Sequence, residues 1–471
     1  MSRGSLVVHG HFYQPPRLDP FTGAMPVDPT AAPARDWNER ISADCYRPNA
    51  ELGNVGAMSW DLGPTLAAWL QAGDPVAYRG FVDGDRGLNG MAQPFHHAIL
   101  PLASAADRLT EVRWGIRDFE VRFGRRPTGM WLPETAVDTA TLRLLVDHGI
   151  LHTVLAPWQV AGVDGGELDT RWPVRIDLGD GRSIVAVLYD GLLSAAVSFE
   201  PEATVDADRF VRERLVARLV QEPLPGDSPP IVVIATDGEL YGHHQPLRDH
   251  FLARLVGRTA PPDAPYATPA LAVAVETAAA AGLPTAHLRA RTSWSCHHGI
   301  SRWAASCACV PDGTWKGPLR GALDRLAGGV DAVTEHVFRS LPGQPDPWAA
   351  RDASIDVLLG ATSTTAFAAT WLAPSATAAD HMEFASVMEA QRWRLAMYAS
   401  CAWFWDEPAR IETAGALRTA VRAARLMDGL AGTDLERRLV ADLSLVSPAG
   451  LGLLNTALAA VGAARGSSPL L

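Results

Sequence analysis

Residues 231 to 239, IVVIATDGE, pass from an apolar run directly into Asp237 and Glu239. The same change of character occurs twice more. SLVVHGHF carries His9 and His11 two residues apart, hence on one side of an extended chain, because strand side chains alternate. TGMWLPET ends in Glu134. In parallel α/β architectures ligands bind at the C-terminal ends of strands, so polar groups gathered there mark chemistry. Each residue also has an ordinary role open to it. Either histidine can be a core residue bonded to backbone, Glu134 can cap a helix, and Asp237 before Gly238 can be a turn residue. Asp138, however, is better placed to cap TATLRLLVDHG. Independent caps and turns need not all fall at the same end of successive strands, so their conjunction favours a polar pocket.

Two carboxyl groups facing each other across a pocket suit the cleavage of an acetal. One acid stays protonated to serve the leaving oxygen, and the other meets the oxocarbenium-like centre as a carboxylate. Glu134 and Asp237 can divide that work. Of fifteen tryptophans, Trp131, Trp294, Trp303, Trp403 and Trp405 lie in or near polar segments, where rings stack on sugar faces. Filling core is the commoner use of any single tryptophan. No G-x-G-x-x-G, Walker A or G-x-S-x-G pattern competes with this reading.

The elements that must position these residues come in two textures. Up to about residue 295, SLVVHGHF, TGMWLPET, ILHTVLAPW, SIVAVLYD and IVVIATDGE read as strands, several continuously apolar because both faces would be buried. Between them Val112, Ile116, Phe119 and Phe123 repeat at helical spacing, as do Leu142, Leu145, Val146 and Gly149. Such alternation predicts an α/β barrel or open parallel sheet over 1–295. Beyond it, Leu319, Leu323, Leu326, Val330, Val333 and Val337 line one helical face, and Phe384, Val387, Met388, Gln391, Leu395 and Tyr398 another. A helical domain over 296–471 follows, with LPGQPDPW (341–348) as an interhelix loop. At 471 residues, two domains are the default.

Charge and composition exclude several classes. With 41 basic against 52 acidic residues, the net charge of −11 gives no general attraction to nucleic acid or anionic membrane. The start, MSRGSLVVHGHFYQPP, has too short an apolar run for a secretory signal, and no run spans a bilayer. A cytoplasmic enzyme with a neutral or polar substrate is expected, and its oligomeric state stays open. Five cysteines are too few for a disulfide framework. Cys296, Cys307 and Cys309 in SCHHGISRWAASCAC would offer thiolates beside His297 or His298, but the spacing fits no standard zinc module. The expectation is a packed loop without metal, in a chain that needs no cofactor.

With these residues in view, the motifs resemble glycoside hydrolase family 57. HGHFYQP is similar to that family's first region, with His9 and His11 as its H-x-H, and GMAQPFHHAILPL, containing Gln93 and His97, resembles the second. GMWLPET resembles the third, whose glutamate is the nucleophile, which implies that role for Glu134. TDGELYGHH is similar to the fourth, whose first aspartate is the general acid and base, here Asp237, with Glu239 and His243 as neighbours that bond hydroxyls. SCAWFWDEP resembles the aromatic fifth region, implying that Trp403 and Trp405 join Trp131 and Trp294 in substrate binding. The resemblance implies an incomplete (β/α)7 barrel followed by a helical bundle, acting on α-glucans with retention, as a hydrolase or a transferase. Retention implies carboxyl groups roughly 5–5.5 Å apart, and the charge of Glu134 together with desolvation should raise the pKa of Asp237. Three positions depart from the family pattern. Tyr13 stands where a histidine is usual, Gln93 where many members carry glutamate, and His244 where a tryptophan is usual.

Two other classes fit some of the same residues. His9, His11, Asp237 and His243 offer the ligands of a metal-dependent carbohydrate deacetylase. A non-catalytic glycan-binding protein would explain the departures at Tyr13 and Gln93, yet gives no reason to keep both Glu134 and Asp237.

Overall fold

The computed structural model describes residues 4–220 and 228–444. They divide into two compact units. The first holds residues 4–14, 27–95 and 119–295, and the second holds 15–26, 96–118 and those from 296 onward. The first unit is therefore not one continuous stretch, since two early segments are counted with the helical one.

Among its described residues the first unit contains ten strands: β1 (Gly4–Phe12), β2 (Ser59–Leu62), β3 (Gly90–Met91), β4 (His152–Leu155), β5 (Val160–Gly162), β6 (Val174–Gly179), β7 (Arg182–Leu188), β8 (Ile231–Asp237), β9 (Tyr266–Ala267) and β10 (Thr285–Leu288). The order β8-β1-β2-β3 is parallel throughout. Isolated parallel bridges from Ala92 to Met130 and from Gly129 to His152 carry the ladder on to β4, which pairs parallel with β7. The Asp190 N–H then donates to Val233 O at 2.7 Å, linking the end of β7 to β8. Seven parallel segments thus form a ring whose last join is thin, an incomplete (β/α)7 barrel. Strand β6 pairs antiparallel with β7, and β10 pairs with β6 and antiparallel with β5, forming an excursion outside the ring.

The continuous apolar runs follow from burial on both faces. Leu6 and Val8 of β1, with Val232 and Ile234 of β8, join a core that includes Leu66, Phe81 and Phe251 from surrounding helices. Their neighbours Val7, Val233 and Ala235 join a second core with Met91, Trp131 and Val187. Period-two alternation therefore sends odd-numbered residues of β1 and β8 inward, and His9, His11 and Asp237 share that parity. The expected helices form as Ala105–Phe123 and Thr139–Asp147, the latter capped by the Asp138 side chain on Thr141 N at 2.7 Å. TGMWLPET contributes only the bridging pair Gly129 and Met130 before it turns.

In the second unit the described residues after 295 form helices joined by turns. The longest are Lys316–Ser340, Ala378–Ala396 and Ile411–Ala431. Leu319, Leu323, Leu326, Val330, Val333 and Val337 are all buried, as are Phe384, Val387, Met388, Gln391 and Leu395. The proline-rich loop ends two residues earlier than expected, because Asp346 caps a helix that starts at Pro347. Proline suits the first helical position, where its missing N–H has no partner to lose. No helix among the described residues is long and apolar enough to cross a membrane.

Candidate active site

Register places three of the first unit's polar groups side by side. His11 pairs with Asp61 of β2 on one flank and with Asp237 of β8 on the other. All three lie at the C-terminal ends of adjacent parallel strands, where such architectures bind ligands. Asp61, absent from the sequence-based set, is the anchor of this row. It is fully buried, with Oδ1 2.9 Å from His9 Nε2 and Oδ2 2.8 Å from His11 Nδ1. Gln93 Nε2 donates to the same Oδ2. A carboxylate only accepts, so the amide must present its nitrogen. Gln93 thus supplies a donor that an ionised glutamate at this position would lack.

The charges of this row are strongly coupled. Burial opposes a charge on His11, but the adjacent Asp61, aided by Asp237 and Glu239, raises its pKa to about 9. Burial likewise opposes the charge on Asp61, yet His11 and His9 hold its carboxyl below the usual value. A protonated imidazole over an ionised Asp61 is the ground state at neutral pH. Trp131, fully buried, stacks on both histidines, with centroids 4.9 Å from His9 and 5.0 Å from His11. Trp294 meets Trp131 edge-on at 5.0 Å.

Glu134 sits at the apex of a tight turn, Pro133–Thr135, with φ 57° and ψ 21°. Thr135 follows at φ 48°. Left-handed backbone at a non-glycine residue costs about 1–2 kcal/mol and recurs at functional sites because surrounding structure imposes it. Here the Trp294 N–H donates to Glu134 O at 3.1 Å, and Gln159 donates through Nε2 to Thr135 O at 2.8 Å. The Glu134 side chain is half-buried, and Oε2 accepts from Trp294 Nε1 at 3.1 Å and from Ser295 Oγ at 2.7 Å. Both bonds fall on Oε2, which leaves Oε1 for a reacting partner. Burial raises the pKa of Glu134 and Asp237 adds to the rise, while Ser295, Trp294 and His11 oppose it.

Asp237 closes β8 with its side chain open to solvent, as a group that exchanges protons with a ligand requires. The protein around it still raises its pKa by desolvation, against the attraction of His11 and His244. The largest repulsion comes from Asp61, not from Glu134 as the sequence implies. Glu239 is buried and accepts from Tyr46 Oη at 2.5 Å and Gln14 Nε2 at 3.2 Å. Burial, reinforced by Asp237, pushes its pKa to about 7 against the Tyr46 bond. His243 turns aside, with Nδ1 3.0 Å from Asp44 Oδ2.

His9, His11, Gln93, Trp131, Glu134, Asp237, Glu239, His243 and Trp294 all belong to the first unit; His97, Trp403 and Trp405 belong to the second. His97, with φ 58°, is buried with Nδ1 2.7 Å from Ser400 Oγ. Trp403 is fully buried, stacked on Tyr398 and beneath the Arg320 guanidinium, whereas Trp405 is exposed with Arg410 over its ring. His9, His11, Asp237 and His243 do not gather as a metal set. His9 and His11 each direct a ring nitrogen at Asp61, and His243 directs one at Asp44.

Ser295 is the second residue that motif reading missed, because it lies among the cysteines rather than at a strand end. Its bond favours the charged carboxylate, so Ser295→Ala should push the pKa of Glu134 higher. A hydrogen bond to a charged group contributes about 1.5–3 kcal/mol. We expect kcat to fall roughly tenfold and the acidic limb of the pH–rate profile to move to higher pH. A limb that stays in place in a pH series would contradict the assignment.

Parallel strands closed into a seven-membered ring, with two carboxyl groups and a charged histidine at their C-terminal ends, define a barrel of the kind that houses hydrolytic and transfer chemistry. Residues 88–259 match glycosyl hydrolase family 57, and residues 312–448 match a domain of unknown function, DUF3536. The family match thus runs from β3 to β8 and takes in Glu134 and Asp237. No curated protein sequence matches it. Among solved structures it is similar to an exo-type maltose-forming amylase from Pyrococcus sp. ST04, with TM-score 0.73 and 15% identity over 93% of this chain and 82% of that one. A GH57-type branching enzyme from Pyrococcus horikoshii gives 0.62 and 15% over 100% and 98%. A GH57 branching enzyme from Thermococcus kodakaraensis gives 0.57 and 17% over 96% of each. At these identities the likeness is one of fold.

Proposed function

We propose that the chain is a retaining glycosidase or transglycosylase acting on α-glucans. The carrying observation is Glu134, held in a left-handed turn with one carboxylate oxygen pinned and the other left for attack. Asp237 stands solvent-open at the C-terminal end of β8 with its pKa raised. In the first half-reaction Glu134 Oε1 bonds to the anomeric carbon as the bond to the leaving oxygen breaks. Asp237 gives its proton to that oxygen. In the second, Asp237 takes a proton from water or from a sugar hydroxyl, whose oxygen displaces Glu134. The His11 imidazolium supports the ionised form of Glu134 throughout, and its positive charge is fixed in place by Asp61. Amylase and branching activities among proteins of this fold, together with the family match, support the α-glucan assignment. The free thiols suit a reducing compartment such as the cytoplasm.

Product analysis tests the proposal. Incubated with amylose, maltooligosaccharides and glycogen, the enzyme should alter chain-length distributions. Reducing ends would rise if water is the acceptor and stay constant if a sugar is. Binding of these glucans without any change in their lengths or branch points would contradict the catalytic reading.

A further inference from the structure

The loop that begins directly after Ser295 gathers four soft donor groups that sugar chemistry leaves unused. Cys296, His298, Cys307 and Cys309 bring one sulfur or ring-nitrogen atom each to within 4.8 Å of all the others, and no other such group of three or more occurs among the described residues. We propose that these four residues bind a zinc ion in a closed, structural Cys3His site.

The distances fit. Zn–S bonds of about 2.3 Å and Zn–N bonds of about 2.0–2.1 Å place tetrahedral ligand atoms about 3.8 Å apart for two sulfurs and about 3.5 Å apart for sulfur and nitrogen. Cys296 Sγ lies 3.4 Å from Cys307 Sγ and 3.9 Å from Cys309 Sγ. His298 Nδ1 lies 3.3 Å from Cys309 Sγ and 3.4 Å from Cys307 Sγ. All the cysteines are free. A cluster that closed by disulfide would use two sulfurs and give no reason for the third sulfur and the imidazole to converge on the same point.

The backbone explains how so short a segment presents four ligands. They come as Cys-x-His and Cys-x-Cys, and each pair rides on a tight turn. The Gly299 N–H donates to Cys296 O at 3.1 Å, with Gly299 at φ 75°, and the Val310 N–H donates to Cys307 O at 2.8 Å. Between the turns, Trp303 is fully buried, and its carbonyl accepts from Arg320 Nε at 2.8 Å on helix Lys316–Ser340. That anchor holds the two turns in register. The i, i+2 spacing matches no standard zinc module, which is why the sequence by itself points to a packed loop without metal. Three thiolates and Zn²⁺ leave a net charge of −1, and the buried Lys316 ammonium lies within electrostatic range of Cys296 and Cys307. Four protein ligands leave no open position, so the ion orders the loop and does no chemistry.

The test uses the full chain purified without chelator, with metal content measured by plasma mass spectrometry and the stripped protein titrated with Co²⁺. About one zinc per chain is expected, together with the strong visible absorption of tetrahedral thiolate-bound cobalt. Cys309→Ser should lower zinc content at least severalfold and weaken that absorption, whereas Cys401→Ser, outside the cluster, should change neither. Wild-type protein supplied with Zn²⁺ that carries almost none and gives no thiolate–cobalt spectrum would overturn the proposal, as would an undiminished metal content in Cys309→Ser. Should that variant prove insoluble, the wild-type cobalt spectrum decides by itself.

Discussion

Glu134→Ala should abolish glucan turnover while leaving the protein folded. The side chain is half-buried, and burial already disfavours its charge. Its backbone is held in left-handed geometry by the Trp294 N–H on its own carbonyl and by Gln159 on the next. Those backbone bonds survive truncation, and glutamate and alanine bear similar conformational cost there; what is lost is the acceptor of the half-buried Trp294 Nε1 and Ser295 Oγ. The change in folding stability should therefore be a destabilisation of about 1–2 kcal/mol, which leaves the protein folded. Catalysis, by contrast, loses the group that forms the covalent bond. Removing a nucleophile typically costs on the order of 10⁴- to 10⁶-fold in kcat. Two measurements separate the outcomes: urea unfolding of both proteins, and turnover with added azide, a small nucleophile that can occupy the vacated space. A folded variant that azide partly revives, giving the glycosyl azide of inverted configuration, is the expected result. A folded variant retaining a tenth of wild-type activity would remove Glu134 from the mechanism.

Asp61→Asn should harm stability and catalysis together. Both oxygens of the buried carboxylate are engaged, by His9 on one side and by His11 and Gln93 on the other. Removing one member of a buried ion pair costs about 3–5 kcal/mol, because its partner's charge is left uncompensated. An asparagine keeps the shape but presents N–H where a donor already points. The pH dependence identifies the cause. The pKa of His11 is raised from 6.5 to about 9 on folding, so its contribution is fully present below pH 6.5 and is lost as pH rises through about 9. Wild-type stability should fall across that window, and the Asp61→Asn variant should lack the fall. At neutral pH its His11 becomes neutral, since burial now acts on the imidazole without Asp61 to oppose it. Glu134 and Asp237 then lose a nearby positive charge, and both carboxyl pKa values rise further. Activity should drop on the order of 10²-fold, the scale for losing one preorganised electrostatic partner, and the acidic limb should shift upward. A variant with the wild-type pH–stability slope would show that the His11–Asp61 pair is not what stabilises this row.

What was legible in the chain follows physical length. β1, β4, β7 and β8 announce themselves by apolar runs, as strands with little exposed face must, and the histidines near the end of β1 and the aspartate that ends β8 stand out. β2 is four residues, SWDL, and β3 is two. Neither is long enough to show a period, so Asp61 passed unread although it obeys the same strand-end rule as Asp237. Ser295 was hidden by its neighbours, since its role depends on a partner 161 residues away. The placement of residues 96–118 with the helical unit was equally invisible, because an amphipathic helix records that one face is buried and not which element buries it. His97 and Gln93 entered through motif likeness, and only the geometry shows their different duties, the amide on Asp61 and the imidazole on Ser400.

The most direct test of the central claim is proton NMR of the first anomer released from an α-linked maltooligosaccharide, recorded before mutarotation. A glycosyl-enzyme on Glu134 requires two inversions, so the α-anomer should appear first and the β-anomer grow in later. If the β-anomer appears first, a single displacement by water is operating, and the account of Glu134 as nucleophile fails.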